Sequence, residues 1–284
     1  MTGGVTTLRR LLLILVTVSA VGCSHPGPGP SLIVGASADP QIALLANVYA
    51  AGLRYYGTDA RVQTMADPVA ALDTGSVGVA PGFTGRLLQR FAPGSAARSA
   101  EQVYRAMIGA LPEGLAAGDY AVAAEDKPAL AVTGSTATSW GGHDLTALVR
   151  NCAGLRIGAV AGAVTQAAVG DCALPAAREF PDATTMFEAL RTGALTAAWT
   201  STADTAVPGG VVVLVDRKPT LVPAENVVAI YRRNELGKMA LRAINELAGV
   251  LDTASLIDML RQVKAGDDPR SVAEAWLTAN PLGR

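Results

Sequence analysis

The feature that most constrains this chain is an alternation of short apolar runs with helical runs that open on Asp-Pro. Ser31-Leu32-Ile33-Val34-Gly35 reads as a buried strand, since a continuous apolar run suits a strand covered on both faces. Asp39-Pro40 supplies an N-cap and a first helical residue. Ile42, Leu45, Val48, Tyr49, Leu53 and Tyr56 recur at helical spacing, and Gly57 ends the helix. Residues 60–65 read as a second strand, Asp67-Pro68 opens a short helix ended by Gly75, and 77–80 is a third strand. This order predicts a parallel sheet with helices on both faces. In such sheets ligands gather at the carboxyl ends of the strands.

The rest of the chain continues the pattern. Residues 102–117 read as helix, and 120–124 and 129–133 as extended. A second unit opens with a helix over 144–148 and a strand over 155–160, followed by a helix at 183–192 and strands at 195–199 and 211–215. Residues 234–280 are helical, with fresh starts at Asp252 and at Asp268-Pro269. One stretch echoes another. "DPVAALDTGSVGVAPGFT" and "DATTMFEALRTGALTAAWT" each run from a short helix through Thr-Gly into a strand, then an aromatic and a threonine: Phe83-Thr84 and Trp199-Thr200. Two similar halves delivering a ring and a hydroxyl suggest two lobes facing one cleft. The competing explanation is chance in a chain rich in Ala, Gly and Thr.

The front end is a separate matter. Arg9 and Arg10 precede an apolar run over 11–21 that contains Thr17 and Ser19. A helix crossing a bilayer needs roughly 20 apolar residues; this run is too short and suits the h-region of an export signal. Ser19-Ala20-Val21-Gly22-Cys23 resembles a bacterial lipobox, with Ala20 where Leu is usual. That resemblance implies a signal peptide over 1–22 and a lipid on the Cys23 sulfur, the alternative being plain secretion. Ser24-His25-Pro26-Gly27-Pro28-Gly29-Pro30 reads as a tether, because Pro lacks a donor and Gly favours an open chain.

Removing 1–22 takes away two arginines and no acids, leaving 21 basic and 24 acidic side chains and a net charge of −3. That offers no basic footprint for nucleic acid. With Cys23 lipidated, Cys152 and Cys172 are an even pair in an oxidising compartment and are read as a disulfide, two buried free thiols being the alternative. Two histidines, His25 and His143, and the absence of His-Glu-x-x-His, Gly-x-Ser-x-Gly, Ser-x-x-Lys and Cys-x-x-Cys argue against an enzyme. No metal cluster, phosphate-binding loop or cofactor is expected.

Several segments, in order, resemble the glycine betaine/choline/osmoprotectant receptors that serve ABC importers. These are "IVGASADPQ", "VAALDTGSVGVAPGFTGRLL", "ALAV" (129–132), "HDLTAL", "ALRTGALTAAWTSTAD", "VVVLVDRKPTLVPAENVVAIYRR" and "SVAEAWLTANPL". The resemblance implies an α/β, two-lobed type II periplasmic-binding fold, each lobe a mostly parallel sheet flanked by helices, with a hinge between them. Lobe 1 would be 31–132 plus 218–284 and lobe 2 would be 133–217. It further implies a monomer that captures a small polar or cationic solute of the betaine/choline class and works with ABC permease and ATPase subunits on the extracytoplasmic face of the cell membrane. The alternative is a degenerate binding lipoprotein acting as sensor or envelope scaffold.

Carried over residue by residue, the family's site is altered here. Phe83 keeps the ring of the Tyr-Thr-Gly turn and Thr84 its hydroxyl, whereas the aromatic before "ALAV" falls on Pro128. Ser37 and Gln41 stand in the first ligand loop, Ser37 at its basic position; Glu225 and Asn226 stand in the return stretch, Glu225 at an aromatic position. Trp199, Thr200 and Asp204 are the lobe 2 candidates, and Gln166 is the nearest polar match to a lobe 2 arginine. Rings attract a quaternary ammonium through their faces, and that box is thinned. Glu225, Asp126 and Glu125 instead favour a cation lacking a carboxylate, unless they are solvated surface acids. Phe83 and Trp199 have core packing, and Asp204 helix capping, as alternatives.

Overall fold

The computed structural model describes residues 31–283; the expected signal peptide, Cys23 and the tether lie outside the described residues. Strands β1 (Leu32–Ala36), β2 (Ala60–Thr64), β3 (Val79–Phe83), β4 (Leu115–Ala117) and β12 (Val227–Arg232) make one sheet, ordered β2-β1-β3-β12-β4. Strands β5 (Pro128–Thr133), β6 (Ile157–Val160), β9 (Arg178–Phe180), β10 (Ala197–Ser201) and β11 (Val211–Val213) make a second, ordered β11-β5-β10-β6-β9. A hairpin, β7 (Ala168–Val169) with β8 (Cys172–Ala173), stands apart.

The two sheets share one plan. Each has three parallel neighbours, β2-β1-β3 and β9-β6-β10, then a strand running the other way, β12 or β5. Half of the pairings in each sheet are therefore antiparallel, because that fourth strand comes from a crossover between the halves. The echoed stretches fall at equivalent places. The first is α2 (Ala70–Asp73) leading into β3, and the second is α7 (Ala183–Arg191) leading into β10.

Alternating residues cover both faces of each sheet. On β12, Val227 and Ala229 join the core under α1 (Pro40–Tyr55), α8 (Lys238–Val250), α9 (Thr253–Ala265) and α10 (Pro269–Ala279). Val228 and Ile230 join the core beneath α3 (Thr84–Phe91) and α4 (Ala100–Ala110). On the second sheet, Leu130, Val132 and Trp199 face α5 (Gly134–Ser139) and α6 (Leu145–Arg150), while Ala131 and Ala198 face α7. Helix starts follow the capping residues. Asp39 Oδ1 accepts from Gln41 N at 2.8 Å, Asp252 Oδ1 from Ser255 N at 2.7 Å and Asp268 Oδ2 from Ser271 N at 3.0 Å.

Two expectations are corrected. The helix expected over 102–117 stops at Ala110, and Gly114, with φ 87°, turns the chain into β4. Residues 120–124 form a turn rather than a strand. β5 pairs with β10 and β11 in the second sheet, and Leu221 and Val222 pack in the core that β5 and β10 share. An apolar run marks a strand but does not say which sheet takes it.

The crossovers meet at a hinge. Glu125 bridges Asn226 in antiparallel fashion, and Asp126 N donates to Glu225 O at 2.9 Å. Beside them Lys127 Nζ lies 3.3 Å from Asp216 Oδ2, with both side chains buried. Asp216 also accepts from Leu221 N and Val222 N, so the buried carboxylate is fully engaged.

Candidate functional site

A cavity of about 240 Å³ opens where the carboxyl ends of the strands of both sheets face each other across the hinge. The first half contributes Arg86, from the first turn of α3; the crossovers contribute Asp126 and Glu225. The second half contributes Pro128 at the start of β5, Trp199 and Thr200 of β10, Asp204 just after it, Val160 at the end of β6, Val164 beyond it, and Met186 of α7.

Each carboxylate in the cavity is held. Asp126 Oδ2 accepts from Arg86 Nη2 at 3.1 Å, and its Oδ1 accepts from Ala203 N at 3.2 Å. Asp204 Oδ2 accepts from Thr200 Oγ1 at 2.6 Å, and its Oδ1 accepts from Ala206 N at 2.8 Å. Glu225 Oε2 accepts from Arg86 N at 2.9 Å at the amino end of α3. Burial pushes the Glu225 carboxyl up to about 7; the hydrogen bond from Arg86 N and the Arg86 charge pull the other way. Three carboxyl groups and one guanidinium therefore line the cavity, and the one ion pair among them joins Arg86 to Asp126.

Of the residues nominated from sequence, Asp126, Trp199, Thr200, Asp204 and Glu225 line this cavity. Trp199 is 3% exposed and also belongs to the core under α5 and α6. Phe83 is 1% exposed and lies beneath Arg86, whose guanidinium carbon is 4.5 Å from the ring centroid. Thr84 and Asn226 are buried partners: Thr84 Oγ1 accepts from Asn226 N at 3.1 Å, and Asn226 Nδ2 donates to Ala121 O at 3.0 Å. Gln41 lies in an adjoining cavity of about 480 Å³, which shares Asp126, Ser201 and Asp204 with the first and adds Lys264. Ser37 Oγ accepts from Asp39 N at 3.3 Å, and Gln166 sits in the loop before β7; neither lines either cavity. Glu125 lies 3.8 Å from Lys127 Nζ rather than in the cavity. Arg86 is the residue that sequence reading missed. The signal was present, since it is the basic residue directly after the Phe83-Thr84-Gly85 turn.

The family model for the substrate-binding domain of ABC-type glycine betaine transport systems matches residues 30–279. The chain belongs to this family. Members are extracytoplasmic substrate-binding components of ABC transporters and work with permease and ATPase subunits. No curated protein sequence matches the chain. Among solved structures it is similar to apo YehZ from Escherichia coli, with TM-score 0.69, 20% identity and coverage of 89% of this chain and 99% of that one. It is also similar to a glycine betaine/carnitine/choline ABC transporter protein, with TM-score 0.73, 15% identity and coverage of 88% and 98%. An ABC-transporter choline-binding protein in complex with choline gives TM-score 0.55, 15% identity and coverage of 88% and 89%. At these identities the likeness is one of fold, and the fold is the type II periplasmic-binding fold, as the order of the segments implied. Among the described residues no helix is long and apolar enough to cross a membrane.

Proposed function

We propose that this chain captures a small cationic solute of the osmoprotectant class between its two halves, outside the membrane, and delivers it to an ABC importer. The observation that carries the reading is the charge of the cavity: Asp126, Asp204 and Glu225 against Arg86. With Asp126 paired to Arg86, Asp204 remains to balance a cation, and Glu225, raised by burial to about 7, adds negative charge as pH rises through that value. In a site partly removed from water such charges act strongly on what enters. A solute carrying its own carboxylate meets this surplus of negative charge, so the cavity favours choline-like and polyamine-like cations over betaines. Membrane attachment through a lipid on Cys23 belongs to the same proposal and rests on the Ala20-Val21-Gly22-Cys23 motif.

Thermal shift of the purified protein against choline, glycine betaine, carnitine, ectoine, putrescine, spermidine and arginine tests the ligand class. A ligand at 100 times its Kd stabilises by about 2.7 kcal/mol. The expected result is a rise in melting temperature with one or more of the carboxylate-free cations. A flat response to all of them, or a response to betaine alone, overturns the reading.

A further inference from the structure

We propose that Arg86 is the resident occupant of a cation seat, so that the chain's own guanidinium holds the place that a solute's ammonium group would take on the face of Phe83. The inference rests on the reading of the cavity as a cation site and adds what limits its affinity.

The seat has the parts that cation recognition needs. A ring face attracts a cation within about 6 Å of its centroid, and the Arg86 guanidinium carbon stands 4.5 Å from that of Phe83. A carboxylate completes the seat, because Asp126 Oδ2 takes Arg86 Nη2 at 3.1 Å. Asp126 is fixed from the other side by Ala203 N, so it stays in place whether or not Arg86 does. The Glu225 carboxyl stands beside the guanidinium, its Oε2 accepting from Arg86 N in the first turn of α3. That anchoring needs Gly85: a Cβ there would lie 2.7 Å from the Glu225 carboxyl carbon and 2.6 Å from Ala224 O.

The occupant covers the ring. Arg86 lines the cavity and Phe83 does not, so the guanidinium stands between the ring and the space a solute would enter. The guanidinium is also displaceable. Its side chain is 40% exposed, and its hydrogen bond to Asp126 is the one side-chain hydrogen bond it makes among the described residues. A tethered cation loses no translational freedom when it binds, whereas a free solute does. Arg86 is thus an effective competitor, and a small ammonium ion must displace it to reach the ring and Asp126.

Titration calorimetry of the wild type, Arg86→Ala and Arg86→Gln with tetramethylammonium and with choline tests this. Removing the guanidinium should tighten tetramethylammonium binding at least tenfold in Arg86→Ala. Arg86→Gln, which keeps an uncharged stem over Phe83, should tighten it to a smaller extent and serves if the alanine variant fails to fold. If the wild type binds either ion and folded variants bind it equally or more weakly, Arg86 is no competitor, while the cation reading of the cavity stands. If no folded protein binds either ion, both fall. Binding by the variants alone supports the resident cation directly.

Discussion

A carboxylate taken out of water resists ionisation unless nearby charges and donors replace its hydration. At Glu225 burial outweighs the donors, and the carboxyl titrates near 7, well above the ordinary glutamate range. The folded state therefore holds a proton more tightly than the unfolded chain. The stabilisation this gives is complete below the unfolded value, near 4.5, and is lost as pH rises through about 7. Melting temperature should fall across that interval and level off above it. Glu225→Gln, which keeps the shape without the charge, should flatten the slope and melt higher than the wild type at about pH 8. Calorimetric scans from about pH 5 to 8 check this, and an unchanged slope in the variant would mean that another group is responsible. At this scale the site was partly legible. Glu225 and Asp204 could be named because they fall in stretches that resemble the family's ligand site, and Asp126 because it lies just before another of them. Phe83 could be named as an aromatic, but its burial under Arg86 could not, because a contact between neighbouring turns depends on side-chain direction as well as spacing.

At the scale of elements, Cys152 and Cys172 are joined, 20 residues apart, and fasten the end of α6 to the β7–β8 hairpin. Cys172 and Val169 of that hairpin are buried in the core of the second half. On the chain-entropy account, closing a loop of this size contributes about 3 kcal/mol. For a body of this length that corresponds to a fall of roughly 6–12 °C in melting temperature on replacing both cysteines by serine. Thermal unfolding of Cys152→Ser/Cys172→Ser measures it, and an unchanged melting temperature would remove the bridge from the account of stability. Elements with strong punctuation were legible: Asp39-Pro40, Asp252 and Asp268-Pro269 each cap a helix where the sequence marked one. Less was legible where pairing decides. β5 is a short apolar run that either sheet could accept, and its register against β10 and β11 assigns it. The echoed stretches did point to two equivalent units, because the same helix–Gly–strand turn serves both sheets.

At the scale of the whole molecule, the proposed attachment to a membrane rests on Cys23. A single acyl chain holds a protein only marginally, and two or more hold it stably. Cys23→Ala should therefore move the protein from the membrane fraction to the soluble one and abolish labelling by radioactive palmitate. Retention of the variant in the membrane fraction would exclude this anchor. The placement of β12 has a further consequence. It lies between β3 and β4, yet the chain reaches it only after the entire second sheet has been laid down. During synthesis and export the middle of the protein is thus finished first. The earlier-made half waits, with β3 and β4 apart and α1 uncovered by its C-terminal helices, until its last sixty or so residues arrive to close it.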